Sequence, residues 1–333
     1  MQKGKSSIEF ENGPRIIGHA SVVGKKEGEG PLGNLFDFVE KDPMFGTKTW
    51  EEAESRLQKI TAETAIHKAG LTPEDIRYLL AGDLLGQLIA TSFGVMELRI
   101  PLFGLYGACS TMGEAMMLGA ILVDGGYADR VLSMASSHFA SAEKQFRFPL
   151  EYGNQRPFSA TWTVTGCGAV VLAKDGDGPK ITGVTTGKIV DMGLKDSMNM
   201  GACMAPAAAD TICQHLKDFD RTSKDYDRII TGDLGVVGKQ ILLKFLEEKG
   251  INIEEQHMDC GIEIFSPSTQ DTHAGGSGCG CSASVLSAYV LPRVRSGEWK
   301  RVLFVPTGAL LSTVSFNEGQ SVPGIAHGVV IEA

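Results

Sequence analysis

FGLYGACSTMGEAMMLGAIL, Phe103 to Leu122, is the stretch whose reading decides the fold: an apolar strand runs into a glycine turn, and Cys109 stands at the mouth of a helix. That helix is apolar on nearly every side. A helix with no polar face has to be covered all round, which places it between two other layers and aims its first turn at a buried spot. Unpaired backbone N–H groups and the positive pole of the helix dipole would favour a thiolate, or a bound anion, at Cys109. A small buried apolar residue is the other reading, since that is how most free cysteines behave.

Upstream, Thr49 with Glu52 makes a capping box, and Trp50, Ala53, Leu57 and Ile60 recur at helical spacing until Gly70. This is an amphipathic helix that covers a sheet. TPEDIRYLLAGD, Thr72 to Asp83, reads as a helical turn and an apolar strand ending at Gly82 and Asp83, and the carboxyl ends of such strands line clefts in α/β folds. Downstream, Tyr127 to His138 is another apolar strand. Ala140 to Pro157, with Arg147 and Arg156, reads as a long loop covering a site. Thr163 to Asp175 is a strand with a glycine-broken start, and GDGP, Gly176 to Pro179, is the expected boundary between residues 1–178 and 179–333.

The second half repeats the first. Thr72, Asp75, Gly82 and Asp83 have counterparts in Thr222, Asp225, Gly232 and Asp233, each displaced by 150 positions (222 − 72). Cys109-Ser110 matches Cys281-Ser282, and Arg130-Val131-Leu132 matches Arg301-Val302-Leu303. Ser282 to Val294 is then a second apolar helix. Two buried helices side by side, each against a parallel-type sheet with helices outside, make an α/β protein built as a duplicated five-layered αβαβα sandwich.

Composition narrows the function. With 43% apolar and 21% charged residues among 333, the chain is globular and has ample material for a core. A net charge of -9 argues against nucleic acid and against a face that binds anionic membranes. The opening MQKGKSSIEFENGP lacks a signal peptide's apolar region, and no apolar run approaches the roughly 20 residues of a membrane span, so a cytoplasmic location is expected. The seven cysteines are odd in number and scattered, which suits a reducing compartment. Cys279 and Cys281 form C-x-C without a second pair at zinc-site spacing, so neither metal nor cofactor is expected.

The duplicated pattern resembles the thiolase and ketoacyl synthase superfamily, whose nucleophilic cysteine sits where Cys109 stands. Within it, EGPLGNLFD, AGDLL, GACST, ASSHFASAEKQFRFPLEYG, MAPAAADTI, HAGGSGCGCSA and IAHGVV are similar to the stage V sporulation protein AD family of endospore-forming bacteria, from about Gly28 to the C-terminus. The resemblance implies a thiolase-like fold. It also implies a soluble, dipicolinic-acid-binding subunit of the assembly that moves this ligand across the inner forespore membrane, peripheral to that membrane and docked on its membrane subunits.

Against the superfamily's catalytic set, Gly232-Asp233 stands where ketoacyl synthases carry a histidine and thiolases an asparagine. Cys279 falls near the second partner, with His273 six residues upstream, and His327 matches the thiolases' second cysteine. A Cys109 and His327 pair leaves open an acyltransferase acting on a coenzyme A or carrier thioester. A dianionic ligand would instead use the two helix N-termini, at Cys109-Ser110 and near Cys279, with a protonated His327 and Arg147 or Arg156. Asp83 and Asp233 would oppose a free dianion, and are expected to bond backbone at the rim or to share a Ca2+ with the ligand. His138, at the end of its strand, belongs to the same candidate set, while His67, His215 and His257 read as core or solvated histidines. A scaffold with a vestigial pocket is a third reading. A homodimer is expected by analogy, through the apolar edge Ile100 to Tyr106.

Overall fold

The structure, a computed structural model, describes residues 1–146 and 155–333. Ten strands run in a continuous order that the duplication explains. From one edge they are Leu102–Gly104, Tyr78–Gly82, Arg130–Ser137, Gly166–Ala173 and Arg15–Gly24, then Lys180–Thr185, Gly328–Glu332, Arg301–Val305, Arg228–Thr231 and His257–Asp259. Each set of five has the same pairing. The outer three strands are parallel and the inner two antiparallel. The two sets meet at one pair, Lys180 opposite Arg15. The N-terminal strand Ser7–Glu9 crosses over and pairs with Lys180–Thr185 of the second set.

The repeated capping boxes are both present, with Asp75 holding Thr72 and Asp225 holding Thr222 ahead of equivalent strands. The Thr49 and Glu52 box opens the helix Trp50–Lys68, which packs outside the first sheet half. Met200–Phe219 with Gly235–Glu247 covers the second half. Between them lie the two apolar helices, Thr111–Asp124 and the segment beginning Cys279–Val285, in contact with each other and with strands of the first half. The five layers expected from the repeat are therefore present.

Close approach in the middle layer depends on glycine. A Cβ on Gly168 would lie 2.0 Å from the Ala283 carbonyl, and one on Gly280 would lie 2.1 Å from the Gly166 carbonyl. Backbone thus lies directly on backbone where the second buried helix crosses the strand Gly166–Ala173.

One expectation needs correction. The stretch read as a loop from Ala140 begins as a helix, Phe139–Phe146, with Phe139, Ala142, Glu143 and Phe146 at helical spacing on one side. Among the described residues no helix is long and apolar enough to cross a membrane.

Candidate functional site

The turn before the first buried helix is built to present Cys109. Ala108 adopts a left-handed backbone, φ 49°, which a non-glycine residue takes only when its surroundings hold it there. The turn closes on itself, Ser110 N bonding Gly107 O at 3.0 Å and Thr111 N bonding Ala108 O at 3.2 Å. Cys109 then lines a chamber of about 30 Å³ with Leu84, Tyr106, Glu143, Phe146, Thr163 and other residues. Leu84, Tyr106, Phe146 and Leu311 also border an outer vestibule of about 530 Å³. They are the partition between the two spaces.

Behind the thiol stands Asp233, fully buried. It accepts from Gly278 N at 3.0 Å, from Thr307 Oγ1 at 2.9 Å and from the Cys109 thiol. Burial pushes the Asp233 carboxyl up to about 7 despite these donors. Burial first, and the Asp233 charge second, push the Cys109 thiol well above its usual range. Of the two readings of Cys109 this environment favours the buried, protonated thiol, which donates to Asp233. The Gly278 N–H group also bonds the thiol and lowers its pKa, but by less than burial and Asp233 raise it. Gly278 N serves Asp233 and Gly280 N bonds Ser137 Oγ at 3.1 Å, as the Ser110 and Thr111 N–H groups serve their own turn.

His327 needs a second correction. It is buried, Gly187 N donates to its Nδ1 at 3.3 Å, and burial lowers its pKa to about 4, so it is neutral rather than a cation for a ligand. It is not among the residues lining the Cys109 chamber.

The other candidate residues disperse. Asp83 lies beneath the site with its oxygens bonded to Leu85 N, Thr91 N and Thr91 Oγ1, at 2.7, 2.8 and 2.6 Å. This is the backbone role expected of it, in the interior rather than on the rim. Ser110 Oγ donates to Gly107 O at 2.7 Å, and the Cys279 thiol to Ser136 O at 2.8 Å. His138 bonds Pro43 O through Nε2 at 2.8 Å and accepts from Ala140 N at 3.2 Å, so both ring nitrogens are engaged by backbone. Arg156 and His273 gather around Asp271 and are not among the residues that line the chamber. Arg147 lies outside the described residues.

Sequence reading missed Glu143, whose buried carboxylate faces the same chamber and accepts from Thr163 Oγ1 at 2.8 Å. The helical spacing of Phe139, Glu143 and Phe146 was the signal for it. It also missed Thr307, at the end of the second sheet half, which fixes Asp233. Among the described residues no group of three or more His, Cys, Asp or Glu side chains could hold a metal ion.

The profile of stage V sporulation protein AD matches residues 4–332. The chain belongs to the stage V sporulation protein AD family. The family's protein from Bacillus subtilis (strain 168) is 46% identical over 329 residues, covering 99% of this chain and 97% of that protein. Solved structures share this fold. The 3-oxoacyl-[acyl-carrier-protein] synthase III of Aquifex aeolicus VF5 superposes with a TM-score of 0.58 at 15% identity, covering 96% of this chain and 100% of the enzyme. Cerulenin-bound OleA of Xanthomonas campestris reaches 0.61 at 14% identity, covering 98% of each. At these identities the likeness is one of thiolase-like fold, and the chain is a sporulation protein built on it.

Proposed function

We propose that this chain is a receptor subunit rather than a catalyst: it binds dipicolinic acid, pyridine-2,6-dicarboxylate, and hands it to the membrane subunits of the assembly that moves it across the inner forespore membrane. The observation that carries this reading is a nucleophile whose proton is held in place, the Cys109 thiol being pushed well above its usual range by burial and by Asp233. Acyl transfer through a thiol needs a thiolate, or a base to make one, and donors free to meet the developing oxyanion. Here the thiol donates to a buried carboxyl, the Gly278, Gly280, Ser110 and Thr111 N–H groups are taken by the protein, and His327 is neutral and bonded to backbone. The fold and the turn persist without the chemistry.

The chain works as a soluble protein, peripheral at the forespore membrane. It pairs with a second copy through the edge strand Leu102–Gly104, whose residues are all exposed and which pairs on one side only, with Leu102, Phe103 and Tyr106 presented to solvent. Calorimetric titration of dipicolinate into the full chain, with and without Ca2+, tests the reading. Saturable binding supports it, and its absence at millimolar ligand sinks it.

One observation favours the acyltransferase reading: Glu143 puts a carboxylate on the wall of the Cys109 chamber, where a base would stand. Incubation with acyl-coenzyme A followed by intact-mass analysis separates the two. An acyl adduct lost in Cys109→Ala would return the chain to the enzymes.

A further inference from the structure

Cys109 is closed off from the space that an organic molecule could occupy. Its chamber, at about 30 Å³, holds about two water molecules. The vestibule outside, at about 530 Å³, is as large as an ordinary ligand pocket. Leu84, Tyr106, Phe146 and Leu311 border both spaces, so whatever reaches the thiol has to pass them.

The two sides of this partition are built differently. On the chamber side, Ala108 and Cys109 belong to a turn closed by its own hydrogen bonds. Thr163 pairs with Ser277 and Ala309 with Gly324 in short strands, and these walls move only if backbone pairing breaks.

The vestibule side is tied by side chains. The helix Phe139–Phe146 is anchored in its first turn, where Phe139 stacks on Trp162 at 4.1 Å, Phe139 N bonds Thr165 Oγ1 at 3.0 Å and Ser141 Oγ bonds the buried Glu54 at 2.6 Å. One turn on, Glu143 accepts from Thr163 Oγ1 at 2.8 Å. The far end carries Phe146 into the partition and is tied at the surface instead. There Lys144 pairs with Glu51, and Gln145 Oε1 accepts from Gly86 N at 3.2 Å.

Gly86 belongs to the facing wall, residues 84–88. Both ends of that turn are pinned to one buried carboxylate, since Asp83 accepts from Leu85 N at 2.7 Å and from Thr91 N at 2.8 Å. Between these posts the backbone is strained. Gln87 and Leu88 are consecutive non-glycine residues in the left-handed region, φ 56° and 53°, a cost that another arrangement of the turn would release. A Cβ on Gly86 would meet nothing within 4 Å, so the turn also has open space to move into.

We propose that residues 84–88 and the last turn of the helix Phe139–Phe146 are the two leaves of a gate on Cys109, latched by the bond from Gly86 N to Gln145 Oε1. Latched, the gate confines a bound molecule to the vestibule and leaves the thiol with water alone. Unlatched, Phe146 swings off the partition, and chamber and vestibule join in one pocket that ends at Cys109. The gate does not rest on the receptor reading, because any organic ligand or thioester would meet the same partition.

The experiment is alkylation of the native full chain by iodoacetamide, read at each cysteine by peptide mass analysis, in wild type, Gln145→Met, Gln145→Glu and Phe146→Ala. Cys279 is the internal clock, since it is fully buried, does not line the chamber and reports any wider unfolding. Methionine matches glutamine in length but offers Gly86 N only a weak sulfur acceptor, so Gln145→Met should speed Cys109 labelling about fivefold, the worth of one such hydrogen bond. Gln145→Glu keeps an oxygen acceptor and should stay within about twofold of wild type. Phe146→Ala removes a leaf and should label at least as fast as Gln145→Met. Throughout, the Cys109 rate should keep the wild-type dependence on pH, because the gate changes access and not the acidity of the thiol. Rates that are equal in all four proteins would overturn the gate, as would Cys109 and Cys279 speeding up together or a shifted pH profile. A faster Phe146→Ala beside an unchanged Gln145→Met would overturn the latch. Gln145 is half-buried at the surface, so its two variants decide the matter even if Phe146→Ala does not fold.

Discussion

Asp233→Asn tests the core of the argument through stability. In the native chain the Asp233 carboxyl titrates at about 7, against 3.8 for an unhindered aspartate, because burial outweighs its three donors. The native state therefore holds this proton over a range where the unfolded chain has released it. Stability carried by a raised acid pKa is intact below the unfolded value and is lost as pH rises through the folded one. A shift of about three units corresponds to about 4 kcal/mol once pH is above about 8, of which about 3 kcal/mol accumulates between about pH 5 and pH 8.5. Asparagine keeps an acceptor for Gly278 N or Thr307 Oγ1 and has no charge to bury. Urea unfolding of both proteins across this range is the assay, since the other buried acids, Glu27 and Glu54, are present in both and cancel in the difference. The wild type should lose about 3 kcal/mol relative to Asp233→Asn as pH rises. A gap that stays constant with pH, or that moves in the wild type's favour, would refute the claim that a buried carboxyl sits behind the thiol.

Other consequences are open to measurement. Iodoacetamide at pH 8 should label Cys109 at least about a hundredfold more slowly than a free cysteine, read by peptide mass analysis, because the reagent needs a thiolate that burial and Asp233 suppress. Acid should destabilise the chain as pH falls from about 6.5 towards 4, since the unfolded histidines take up protons that buried His19 and His327, both lowered to about 4, refuse; His327→Gln should shallow that slope. Gly168→Ala should cost about 3 kcal/mol or more, seen as loss of soluble folded protein, because its methyl would meet the Ala283 carbonyl. Phe103→Lys should convert a dimer to a monomer in sedimentation if the edge strand joins two copies.

The architecture was legible because duplication gives the same signal twice. Thr72 with Asp75 and Thr222 with Asp225 mark equivalent turns, and apolar helices with no polar face can only be interior. The site was harder to read because its chemistry depends on who faces whom across the middle layer. The repeat equates Asp233 with Asp83 and Cys109 with Cys281, so it gives no contact between Asp233 and Cys109. Nor does it say that the two share a proton, because a helix N-terminus and a carboxylate pull the thiol in opposite directions and only burial decides between them. Ala140 onward was misread as a loop because its polar residues hid the spacing of Phe139, Glu143 and Phe146.

On the receptor reading, a thiolase-like chain gives up its chemistry without giving up its fold. The residues that hold the layers together, Gly168 against Ala283 and Gly280 against Gly166, are distinct from those that would move protons. Where a base would stand, the chain has Asp233, which braces the second buried helix through Gly278 and the second sheet half through Thr307. A histidine there would have one nitrogen to offer each side and nothing left for the thiol. The carboxylate reaches Gly278, Thr307 and Cys109 together, and so turns a catalytic position into a brace.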